Sequence, residues 1–247
     1  MNEHIAFATT DAPSEVHGVH GAAGETLWKC LAPGHGLTGA WEAVEWALLP
    51  PDGASGEHRH TRTEELYFIL AGQGELSLNG QACAVATNDL ILTGLGARHG
   101  LLNVGATDLA WLVIEMPAPL TTSVVRPTTV EEKVPMPNEA ISKTAVIHLT
   151  ETDEIDPRTV LSGPLRRVHL LCLPSDSTQE LQANGQEHVL FVLAGDGMGS
   201  APSAEVPLRP GTSLTLGPHD HLRLDAKRDG IKLFHAVLDS PFSKDNT

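Results

Sequence analysis

Basic residues are scarce in this chain: 16 Lys and Arg stand against 31 Asp and Glu over 247 residues, for a formal charge of -15. Such a surface repels phosphate backbones and anionic headgroups, so neither nucleic acid nor a membrane surface is expected as a partner. Cysteine is sparse too. Cys30, Cys83 and Cys172 lie far apart with no Cys-x-x-Cys pair, which argues against a thiolate zinc clasp or a disulfide framework and fits a reduced, cytoplasmic setting. No apolar run is long enough to cross a bilayer, and the opening Met1-Asn-Glu-His-Ile-Ala-Phe7 lacks the basic and apolar regions of an export signal. Gly-x-Ser-x-Gly and P-loop motifs are missing, against serine hydrolase and nucleotide triphosphatase chemistry. Aromatics make up 4% of the chain, yet the hydrophobic fraction is 41%, enough for one large core or two small ones.

What the chain does have is a recurrence of short Val, Ile and Leu runs between Gly, Pro, Asn and Asp clusters, the pattern of an all-β protein. Strands are expected over 43–49, 65–70, 74–78, 89–92 and 109–115, then over 165–173, 188–193, 213–216 and 231–238. No stretch has a convincing helical period. The two series superpose. Glu65-Leu-Tyr-Phe-Ile-Leu-Ala-Gly72 aligns with His188-Val-Leu-Phe-Val-Leu-Ala-Gly195 at an offset of 123. Leu112 to Pro117 falls on Ala236 to Pro241, and Ile5 to Asp11 resembles Ile147 to Asp153. A duplicated β unit follows, with a first unit over 1–124, a proline-rich linker over 125–142 and a second unit over 143–247. Gly72-Gln-Gly and Gly195-Asp-Gly read as hairpin turns, because no helix follows them to form a phosphate cradle.

The chemistry concentrates in the first unit. Gly53-Ala-Ser-Gly-Glu-His58-Arg-His60 leads to Glu65 and, six residues later, Gly72; Asn88-Asp-Leu-Ile-Leu-Thr-Gly94-Leu-Gly96-Ala-Arg-His99 leads to Asn103. Residues two apart on a strand share a face, so His58 and His60 can both point inward, and barrel closure can bring Glu65 and His99 opposite them. Any one of these histidines alone reads as an ordinary core or surface residue. Together they offer three imidazoles and a carboxylate, a set that suits Fe(II), Mn(II), Ni(II), Co(II) or Zn(II) and leaves positions open on an octahedral ion.

These paired motifs resemble those of the cupin superfamily. The resemblance implies two tandem jelly-roll (double-stranded β-helix) barrels with one divalent metal on His58, His60, Glu65 and His99 of the first. Gly94 stands where that family usually has Pro, and Asn88 where it usually has Gly. Glu64 competes with Glu65 as ligand; counting back from Gly72 favours Glu65. Tyr67 projects to the same side as Glu65, as a donor or substrate contact or as a plain core aromatic, and Asn103 reads as structural. Trp46, Tyr67, Leu92 and Trp111 are expected to face the barrel interior.

In the second unit the offset places Leu181, Ala183 and His188 on the slots of His58, His60 and Glu65, so the same site cannot form there. His221 lies within one residue of the His99 slot, His169 and His235 fall opposite Trp46 and Trp111, and His219 reads as a loop residue. His169, His188, His221 and His235 either make an unusual all-histidine site or are remains of the duplication. The expected function is a metal-dependent enzyme acting on a small molecule, foremost an Fe(II) dioxygenase with Glu65 and Tyr67 nearest the chemistry. The alternatives are non-redox isomerisation, cyclisation or decarboxylation on Mn, Ni or Zn, and a binding protein without catalysis. Exposed sheet edges point to a homodimer.

Overall fold

The computed structural model describes residues 5–34, 39–119, 143–202 and 204–241; the linker expected over 125–142 lies outside them. Among the described residues the chain is built from β-strands with two single-turn 3-10 segments. In the first half a seven-stranded sheet runs, in spatial order, through Thr144–His148, Asp89–Thr93, Thr63–Ala71, Leu109–Pro117, Ala43–Leu49, Glu25–Pro33 and Ser14–His17. A four-stranded sheet of Ala54–Arg59, Arg98–Leu102, Gln73–Leu78 and Gln81–Ala86 covers it. In the second half Gln186–Ala201 and His221–Asp239 pair along most of their length and bend, so a single sheet supplies both walls.

Side-chain alternation decides what each face does. On Thr63–Ala71 the odd residues Tyr67 and Ile69 enter the core of the first barrel with Leu76, Trp111 and Val113. Leu66 and Phe68 face the other way, into a core shared with Val189, Phe191 and Phe234 of the second half. A third cluster, including Leu190, Leu214, Leu222 and Leu233, fills the second barrel. Trp111 and Tyr67 therefore line the first barrel as expected, but Trp46 and Leu92 belong to the shared core. Their even positions put them on the outer face, and an apolar run buried on both faces hides that parity.

The glycines read as hairpin turns are bends instead. At Gly72 the chain passes from the seven-stranded to the four-stranded sheet, and Gly195 sits inside one continuous strand. Both have positive φ, and a Cβ at Gly72 would come within 2.4 Å of the Asp108 carbonyl.

The halves exchange strands. Ala6–Thr9 pairs with the second-half strand Thr212–Leu216, and Thr144–His148 pairs with Asp89–Thr93 of the first half. Neither 1–124 nor 143–247 thus contains its whole sheet. Ala6 pairs with Thr215 as Ala145 pairs with Leu92, so these strands correspond three residues out of the register expected from Ile5 and Ile147. The exchange also accounts for Gly94. Its N–H donates to the Lys143 carbonyl at 3.0 Å, beside the exchanged strand, and a proline has no hydrogen to give. Asn88 takes positive φ in the position where glycine is usual, a conformation Asn tolerates.

Candidate metal centre

His58 lies on Ala54–Arg59, His60 just beyond its end, Glu65 on Thr63–Ala71 and His99 on Arg98–Leu102. Pairing of His99 with His58 across adjacent strands and a bond from the His60 N–H to the Ala97 carbonyl draw the segments together. One ligand atom from each of the four residues lies within 4.8 Å of all the others. His60 Nε2 and His99 Nε2 are 3.1 Å apart, and His99 Nε2 and His58 Nε2 3.2 Å. Glu65 Oε2 is 2.9 Å from His99 Nε2 and 3.4 Å from His60 Nε2. Neighbouring ligands on one ion with bonds of about 2.1 Å sit roughly 3 Å apart, so these spacings fit a common ion.

The other ring nitrogens settle which lone pairs face the centre. His58 Nδ1–H donates to the Gly56 carbonyl at 3.1 Å. The Thr63 hydroxyl donates to Glu115 at 2.8 Å, which leaves its oxygen to accept from His60 Nδ1 at 3.4 Å. His99 Nδ1 meets Thr93 Oγ1 at 3.0 Å. Holding each ring by Nδ1 in this way turns the Nε2 lone pairs inward. Glu65 Oε2 is buried without a hydrogen-bond donor, the state of a carboxylate oxygen that fits a cation. Burial alone would raise the Glu65 pKa, but the His99 and His60 rings outweigh it and hold the group well below the usual carboxylate range. His58 is pushed down to about 4 by burial and then by His99. At neutral pH these groups are a neutral imidazole and a carboxylate, the forms that ligate.

Glu64 is not part of the set. Its carboxylate accepts from the Ser162 and Gly163 N–H groups of the second half, at 3.0 and 2.6 Å. Tyr67 stacks near His99, centroids 4.7 Å apart. Burial and then the Glu65 charge raise its pKa well above the ordinary value, and its hydroxyl donates to Glu65. Asn103 is structural, donating to the Leu49 and Thr107 carbonyls and accepting from Gly105 N–H.

Beside the four residues opens a cavity of about 330 Å³, walled by Trp28, Tyr67 and Trp111 and reached by Glu45, Glu65 and His20. His20 stacks on His58 at 3.5 Å. Its loop rests directly on the barrel, since a Cβ at Gly56 would fall 2.3 Å from the His20 carbonyl oxygen. Sequence reasoning missed His20, Thr63, Thr93 and Glu45. Only Glu45 left a signal, as a lone carboxylate in the apolar strand Ala43–Leu49. Burial raises its pKa, against a hydrogen bond from the Trp28 side chain.

The second barrel repeats the frame without the ligands. Leu222 pairs with Leu181 as His99 pairs with His58, and the Ala183 N–H donates to the Asp220 carbonyl as that of His60 does to Ala97. The four slots thus hold Leu181, Ala183, His188 and Leu222. His221 points outward to Glu180 at 2.7 Å and opens a strand, while His219 is in the preceding turn. His188 Nδ1 lies 2.9 Å from His235 Nε2, and the His169 and His235 rings are 4.7 Å apart. His169 and His235 are cross-strand partners, like Glu45 and Val113 of the first half. They correspond to those residues and not to Trp46 and Trp111, because the bulges in these strands shift the register.

Residues 45–115 match the family model described as Cupin domain. The chain is 28% identical over 102 residues to the oxalate-binding protein of Thermotoga maritima, covering 41% of this chain and 84% of that one. Among solved structures it resembles protein Ylba from E. coli, with TM-score 0.70, 14% identity and coverage of 99% and 93% of the two chains. It also resembles a salicylate 1,2-dioxygenase from Pseudaminobacter salicylatoxidans, with TM-score 0.59, 17% identity and coverage of 87% and 76%. Residues 45–115 are thus a cupin domain, in a fold of two jelly-roll barrels with the histidine-rich group in the N-terminal one. No helix among the described residues is long and apolar enough to cross a membrane.

Proposed function

We propose that the chain is a metal-dependent enzyme for a small organic substrate, in which His58, His60, Glu65 and His99 hold one divalent ion and dioxygenation is the reaction. Fe(II) is the favoured ion, ahead of Mn(II), Ni(II), Co(II) and Zn(II). The observation that carries the reading is the convergence of three imidazole Nε2 atoms and one donorless carboxylate oxygen beside a substrate-sized cavity. Such a set leaves open positions on an octahedral ion, and a redox-active ion there supplies dioxygen chemistry. The protein's own groups do the positioning. Tyr67, kept protonated, donates to Glu65 and fixes the carboxylate; Trp28 and Trp111 form the walls that orient a flat substrate and exclude water.

A non-redox reading, isomerisation, cyclisation or decarboxylation on Mn, Ni or Zn, is favoured by Glu45, a carboxyl in the same cavity able to move a proton. The name of the Thermotoga relative favours simple binding. As further proposals, 1–124 and 143–247 are the two evolutionary units, and edge strands such as Gln81–Ala86 make a homodimer. Oxygen uptake separates the reactions. Protein loaded anaerobically with Fe(II) is expected to consume dioxygen with at least one member of a catechol panel, and the His58→Ala variant to consume none. Turnover of the panel by the Zn(II) form without oxygen uptake would replace dioxygenation with the Lewis-acid reading.

A further inference from the structure

The cavity beside the metal residues is asymmetric in charge. Of the four metal residues Glu65 reaches into it, with His20, which stacks on His58, beside it. Glu45 lies farther along the same sheet as Glu65, directly across from Val113, which in turn is directly across from Tyr67. With strands about 4.8 Å apart, Glu45 stands two strands, or roughly 10 Å, from the Tyr67 backbone. Among the described residues that line the cavity there is no Lys or Arg. The Glu45 carboxyl receives a hydrogen bond from Trp28, and no cation is present along the described lining to neutralise either it or an incoming acid.

We propose that Glu45 determines the specificity of this site, selecting a flat aromatic substrate that chelates the ion at one end and presents a neutral or cationic hydrogen-bond donor at the other. The inference rests on the reading of the four residues as a metal centre. A donor such as an ammonium or hydroxyl meets the free oxygen of Glu45, and the tryptophan faces of Trp28 and Trp111 add attraction for a positive end. A substrate with a carboxylate at that end places two like charges together in a partly dehydrated cavity with no guanidinium to bridge them. A divalent ion on the four residues favours the ionised form of Glu45 and so sharpens the choice. Aromatic acids with a carboxylate opposite their chelating group are thereby disfavoured.

The test uses three catechols that share one chelating end: 3,4-dihydroxybenzylamine, 3,4-dihydroxybenzyl alcohol and 3,4-dihydroxyphenylacetate. Binding to the full-length Zn(II)-loaded protein, in which no redox turnover intervenes, is read by calorimetry and by quenching of tryptophan fluorescence. The amine and the alcohol are expected to bind at least about tenfold more tightly than the acid, and the Glu45→Gln variant to bring all three within about threefold, with its zinc content unchanged. A protein that takes up zinc but binds the acid as tightly as the amine overturns the inference, as does an unchanged ratio in Glu45→Gln or failure to bind any of the three. Failure to take up zinc at all is a separate result, and overturns the metal reading beneath it.

Discussion

Phe68 and Phe234 pack ring against ring across the boundary between the barrels, centroids 4.8 Å apart and planes inclined by 32°. Both side chains are fully buried, and each comes from a strand whose alternate residues fill a barrel. Replacing either by Ala leaves a cavity in the shared core, and about 3–5 kcal/mol of stability should be lost. In a double-mutant cycle the pair should show a coupling of about 0.5–1.5 kcal/mol. Urea unfolding of the two single variants and the double variant measures both quantities; purely additive losses would show that the rings do not act together.

Gly94 ties the exchanged strand to the first barrel through its N–H. The Gly94→Pro variant, which restores the residue more usual in the family, removes that donor and leaves the Lys143 carbonyl unpaired. A cost of about 1–3 kcal/mol is expected, visible as a lower urea midpoint. An unchanged midpoint would show that the bond contributes nothing.

Thr63 links His60 to Glu115. Thr63→Val keeps the shape and removes both hydrogen bonds, so the His60 ring loses the partner that holds its tautomer. Metal affinity should fall about 10- to 100-fold while far-UV circular dichroism is unchanged. Competitive zinc titration against a chromophoric chelator reads the difference, and equal affinity would remove Thr63 from the site.

Much of this was legible in the sequence, for identifiable reasons. His58, His60, Glu65 and His99 are legible through the resemblance to the paired cupin motifs, with strand spacing placing His58 and His60 on one face, and the 123-residue offset exposes Leu181 and Ala183 as replacements. The partners of the ligands were not legible. Thr63, Thr93 and Gly56 act through one oxygen each, at positions where many residues would suit the strand equally well. Trp46 and Leu92 were placed on the wrong face because a strand covered by a second barrel is apolar on both sides, which erases the alternation. The strand exchange leaves no trace in local pattern, since pairing partners are chosen by the fold and not by the segment.

Acidity should govern metal uptake in one direction. Burial would lower the His60 pKa, but the Glu65 carboxylate beside it raises it above the ordinary value, whereas His58 is pushed down to about 4. As the pH falls His60 therefore takes up a competing proton before His58 does. Affinity should fall by at least about tenfold for each pH unit below the His60 pKa, with protons released as the ion binds. Calorimetric zinc titrations in buffers of different ionisation enthalpy at several pH values report the proton count; affinity independent of pH would contradict the ligand assignment.

The most direct test is the metal content of protein purified without oxygen, measured by plasma mass spectrometry for the parent chain and for the His58→Ala and His188→Ala variants. One equivalent of a divalent transition metal per chain is expected in the parent, lost in His58→Ala and retained in His188→Ala. Retention in His58→Ala, or loss in His188→Ala alone, would contradict a working N-terminal barrel beside one that has lost its site.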